Sequence, residues 1–211
     1  MKMTMTKAGI FLLAAALLTL GCDSSPKKSG NGSAANNQKP VISTETGRFA
    51  LQKMLPPARM WAADSRPVRL ESSVLGGTDG HDGKASFWRC MFGSAARQKA
   101  ETFTWSGMDT PDNPKGINHG PEDSYNPANR SAQGFELPFL KVDSAQAFEV
   151  AQQHGGKQLL TKNPKQEVIY LLDWDPSVNE LNWHVIYGSS ESNAKLTVIV
   201  NASEGKFVRK E

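Results

Sequence analysis

The chain has 211 residues, 21% of them charged and 8% aromatic, with 24 Lys and Arg against 21 Asp and Glu. The first 40 residues hold five of the basic groups and one of the acidic ones, so residues 41–211 carry 19 against 20 and offer no basic footprint for a nucleic acid. That folded part, about 170 residues, is long enough for one core or for two small units sharing one.

Lys2 and Lys7 flank the start of an unbroken small and apolar run over residues 8–20, which is 13 residues long. A helix needs about 20 residues to cross a bilayer, so the run is too short to span one, but it has the length and flanks of an export signal. Leu18-Thr19-Leu20-Gly21-Cys22 resembles the lipobox of bacterial lipoproteins, with Thr19 standing where Leu is more usual. The resemblance implies removal of residues 1–21, lipidation of Cys22 and anchoring to a membrane of the bacterial envelope. Asp23 is similar to the signal that retains lipoproteins in the inner membrane of some Gram-negative bacteria. Residues 22–40 hold no large apolar side chain and are rich in Ser, Gly, Asn and Lys, so burial cannot offset their ordering entropy and they read as a flexible tether. With Cys22 carrying lipid, Cys90 has no partner for an intrachain disulfide.

Past the tether, Phe49, Ala50, Leu51, Met54, Leu55, Met60 and Trp61 recur at helical spacing, with Thr44 or Thr46 as cap. Pro56 and Pro57 predict a break there and a second short helix, because an interior proline costs about 3 kcal/mol. Val68, Leu70, Ser72 and Val74 alternate with polar residues as a half-exposed strand does. Residues 76–83 form a turn, and residues 88–105 read as a hairpin with Trp88, Cys90, Phe92, Phe103 and Trp105 on one face, Cys90 acting as a small buried hydrophobe. Residues 107–133 are dense in Pro, Gly and Asn and predict a long irregular loop. Residues 135–141 return to strand character, with Pro138 pointing to an edge.

The second half opens at Asp143-Ser144, either able to cap a helix that Gly155-Gly156 ends. A strong strand over 168–174 follows, then a hairpin over 183–200, and residues 205–210 close the sheet. Residues 183–200 match residues 88–105 without a gap at an offset of 95, Trp183 falling on Trp88 and Tyr187-Gly188-Ser189 on Phe92-Gly93-Ser94. The chain therefore reads as one unit used twice, 41–142 with the 107–133 loop inserted and 143–211.

In the second half, Ala145, Ala147 and Ala151 lie on the helix, Trp183-His184-Val185 at the centre of a strand, and residues 198–205 end a strand in a polar turn and Gly205. This pattern resembles the PepSY and PepSY-like domains of exported bacterial proteins, with Asn201 where that family often has Asp. The resemblance covers the second half well and the first poorly. It implies an α+β fold of two tandem units, each a helix packed on a four-stranded antiparallel sheet, PepSY-like or cystatin-like, and a role in binding or inhibiting partners without chemistry.

No HExxH, GxSxG, phosphate loop or CxxC is present, and His81, His119, His154 and His184 are scattered. The 107–133 loop offers Asp109, Asp112, Glu122 and Asp123, the hard oxygen donors calcium prefers, but without the spacing of a calcium loop. These carboxylates carry the alternative reading, a metal-dependent binding protein or enzyme; otherwise no cofactor is expected. Alternation places Ile169, Leu171, His184, Ile186 and Ile199, with Arg89, on the second face of the sheet. One helix cannot cover both faces, so this face either packs the two units together or receives a protein or peptide partner or a second copy of the chain.

Overall fold

The computed structural model describes residues 41–211; the expected leader, Cys22 and the tether lie outside the described residues. Strand β1 (Glu45–Thr46) runs straight into α1 (Gly47–Trp61), where the Thr46 hydroxyl accepts the Phe49 N–H at 3.4 Å as an N-cap. The helix passes through Pro56 and Pro57 without the expected break. The carbonyls those prolines leave unbonded belong to residues 52 and 53, both on the exposed side of the helix, while Leu51, Met54 and Ala58 face the core. Strands β2 (Arg66–Ser73), β3 (Lys84–Ala85), β4 (Phe87–Ser94), β5 (Lys99–Ser106) and β6 (Gly116–Ser124) complete the first half. In the second half, α2 (Ser144–Ala151) and α3 (Lys157–Lys162) precede β7 (Val168–Asp175), β8 (Glu180–Tyr187), β9 (Leu196–Asn201) and β10 (Phe207–Lys210).

β1 pairs with β3, and the other eight strands form one antiparallel sheet in the order β10-β9-β8-β7-β2-β4-β5-β6. Each half supplies four neighbouring strands of this sheet, β2, β4, β5 and β6 from the first and β7 to β10 from the second, and the halves meet edge to edge where β2 pairs with β7, Arg69 opposite Asp173 and Leu70 opposite Leu172. Face-to-face packing of two sheets, one of the two expectations, is therefore replaced by a continuous sheet and a shared core. The two hairpins hold the same register, Trp88 opposite Trp105 and Trp183 opposite Val200.

The fourth strand of the first half is not at 135–141, where Leu137–Phe139 form a single 3-10 turn, but at β6, inside the stretch expected to be an irregular loop. As an outermost strand β6 pairs on one side only, which lets it carry Pro121, and Glu122 ties it down by accepting from the Trp61 indole at 2.8 Å and from Arg97.

The core fills the helix side of the sheet. Trp88 and Trp183 meet there at 6.4 Å between ring centroids, and their rings crowd Gly47, whose added Cβ would lie 2.5 Å from Trp183. Only a glycine lets the first turn of α1 approach so closely. Cys90 is buried in the same core, and burial raises its thiol pKa well above the ordinary value.

Candidate interaction site on the outer face of the sheet

The face turned away from the helices is built by alternation along five strands. Register aligns Arg89 (β4), Glu71 (β2), Leu171 (β7), His184 (β8) and Ile199 (β9) in one row across the sheet. Ile169 and Ile186 face each other in a neighbouring row, and Arg69 and Asp173 in another. All six residues expected on this face therefore share it.

Four of the six, Arg89, Ile169, Leu171 and Ile186, line a recess of about 200 Å³ together with Glu71 and Glu191. The apolar face is not an open plateau. Leu171, Ile186 and Ile199 are 3%, 1% and 0% exposed, leaving Ile169 half-buried and Arg89 exposed. The connection from β8 to β9 returns toward this face, where Glu191 engages the Arg69 guanidinium.

Charge is concentrated beside the recess. The Arg69 guanidinium bonds the carboxylates of Glu71 and Glu191 and reaches Asp173 Oδ2 at 3.4 Å. Arg89 donates twice to Glu71 Oε2, at 3.0 and 2.6 Å. His184 Nε2 lies 3.0 Å from Asp173 Oδ1. Burial raises the pKa of the Glu71 carboxyl, but the hydrogen bonds from Arg69 and Arg89 outweigh it, so the group is held below the usual carboxylate range. An apolar floor beside paired, hydrogen-bonded charges suits recognition of a side chain with polar flanks.

Sequence reasoning missed Arg69, Glu71, Asp173 and Glu191. The first two were legible only as the polar half of an alternating strand, and the β2–β7 pairing that brings Asp173 to Arg69 has no local signal. The four loop carboxylates of the metal reading are not brought into one group. Asp109 Oδ1 accepts from the Lys115 amide at 2.8 Å, Asp123 Oδ1 accepts from the Ser124 amide at 2.6 Å, and Glu122 is held by Arg97 and Trp61. Asp112 precedes β6 while Glu122 and Asp123 lie near its far end, and no cluster of three or more metal-ligating side chains occurs among the described residues. The histidines stay apart, His81 against the Gln166 carbonyl at 2.6 Å, His119 against Glu101 and His154 stacked on Phe207 at 3.8 Å.

No family model matches the chain, and no curated protein matches it. Among solved structures the fold is similar to that of a "putative lipoprotein (CD1622)" from Clostridium difficile 630, with a TM-score of 0.51 and 12% identity over 82% of this chain and 97% of that one. At that identity the likeness is one of fold. The PepSY resemblance rests on its residues and element order alone.

Proposed function

We propose that this protein is an exported bacterial envelope lipoprotein, anchored through Cys22, that acts as a non-catalytic binding module for a protein or peptide partner. The anchor reading is supported by the 8–20 apolar run ending at Gly21-Cys22 and by the fold it shares with a protein described as a putative lipoprotein. No helix among the described residues is long and apolar enough to cross a membrane. The observation that carries the binding reading is the convergence of Ile169, Leu171, Ile186 and Arg89 on one recess bordered by the Arg69–Glu71–Glu191 network. An apolar side chain of the partner enters the recess, and its polar flanks meet Arg89 and Glu191.

The test is a photo-activated cross-linker placed at Ser189, an exposed residue lining the recess, and a second one at exposed Lys115, beyond it. Irradiation of intact envelopes should give one dominant adduct from position 189 and none of the same mass from 115. Equal or diffuse labelling from both would reject the recess as a binding site.

A further inference from the structure

A second site lies where α1 ends. A cleft of about 590 Å³, sharing no residue with the recess, is lined by Arg59, Asp64, Arg66, Gly93, Tyr125 and Glu136, among others. That volume is in the range of small-ligand pockets, roughly 300–1,000 Å³.

Its walls are fixed by the fold. Tyr125 is pinned at both ends, its amide donating to the Gln98 carbonyl at 3.1 Å and its hydroxyl to the Ala132 carbonyl at 3.2 Å. Its ring lies over Gly93, where an added Cβ would stand 2.6 Å from the ring, so glycine is what admits the aromatic surface. Asp64 accepts from Ser94 Oγ at 2.6 Å and from the Ala96 amide at 2.9 Å, one donor on each oxygen. Arg66 is paired with Glu136 at 3.0 Å.

One lining charge is left over. Arg59, in the last turn of α1, enters no ion pair and no hydrogen bond among the described residues. Arg66 and Glu136 pair with each other and Asp64 is held by a hydroxyl and an amide, which leaves Arg59 as the one charged side chain of the lining without a partner among the described residues, in a cleft that Tyr125 also lines. A guanidinium takes a carboxylate in a two-point fork, and an aromatic face takes the body of a small organic molecule. From this geometry we propose that the cleft binds a carboxylate monoanion, held by Arg59 and laid against Tyr125. A free peptide C-terminus and a uronic acid sugar both carry that chemistry.

The experiment titrates the folded protein with N-acetyl-alanyl-alanine and with glucuronate, each a monoanion at neutral pH, beside its neutral counterpart lacking the carboxylate, N-acetyl-alanyl-alaninamide and glucose. The readout is the backbone amide resonances of Gly93 and Gly134. The expected result is saturable movement of these signals by a carboxylate probe, none by its counterpart, and binding about tenfold or more weaker in Arg59→Gln, with Arg59→Lys intermediate. The arm that responds identifies the source, peptide or sugar. The proposal is overturned if neither carboxylate moves the signals, if the counterparts move them equally, or if Arg59→Gln binds as the parent does. A folded spectrum of Arg59→Lys keeps the comparison valid should Arg59→Gln lose structure.

Discussion

Trp88 and Trp183 hold matching places in the two halves, each indole donating to the carbonyl two residues ahead of a helix: Trp88 to Glu45 at 2.8 Å, ahead of Gly47, and Trp183 to Val142 at 2.9 Å, ahead of Ser144. The helix starts are themselves joined, the Gly47 amide donating to Ser144 Oγ at 2.9 Å and the Arg48 amide to Asp143 Oδ1 at 2.9 Å. Removing either ring takes away buried surface and leaves a carbonyl without its donor. Trp88→Ala and Trp183→Ala should each cost about 3–5 kcal/mol in urea unfolding, and Trp→Phe at either site less. A loss under 1 kcal/mol would detach the pair from the core.

Gly47 should accept no side chain. Gly47→Ala forces Cβ against Trp183 and Trp88 and is expected to destabilise by about 1–3 kcal/mol, although alanine is the better helix former. Thermal melting against a control change at exposed Lys53 separates packing from propensity.

The ionic network gives stability a defined pH dependence. The folded-state pKa of Glu71 is depressed, so its contribution is present above the ordinary carboxylate pKa and is lost as pH falls through the folded value. Glu71→Gln should cost about 1–3 kcal/mol at pH 7, because Arg69 and Arg89 lose an ionised acceptor, and the gap to the parent should narrow as the pH is lowered through the acid range. Chemical denaturation of both proteins at stepped pH measures it; a gap that widens toward acid would contradict the network.

These residues also mark what the sequence tells. The hairpins and the face carrying Ile169, His184 and Ile199 were legible because an inward row of Trp, Val and Tyr fixes the outward row by period two. Strand β6 was not, since an edge strand wet on most of its length shows no apolar alternation and its Gly and Pro read as loop. The unbroken α1 was missed because the rule against interior proline assumes that the freed carbonyls have nowhere to go. The joining of β2 to β7 links residues about 100 apart in the chain, a pairing that leaves no local pattern, and with it came Asp173 and the guanidinium network.

Cys90 should behave as core and not as a reactive thiol. Its burial and raised pKa predict no labelling by a thiol reagent in the native protein and complete labelling in denaturant. Rapid native labelling would place the β4 core open to solvent.

Metal removal should change nothing in the fold, since Asp109, Asp112, Glu122 and Asp123 are dispersed. A chelator is expected to leave the melting temperature where it was, whereas a metal bound only by the native state would lower it on removal.

The most direct measurement on the central claim compares the cross-linked adduct from position 189 in the parent and in Ile169→Glu, with circular dichroism matched between them. The account predicts that the acidic side chain, set into the apolar floor beside Leu171 and Ile186, abolishes the adduct while the fold is kept. An adduct of undiminished yield in a folded Ile169→Glu protein would contradict the recess as the place where a partner binds.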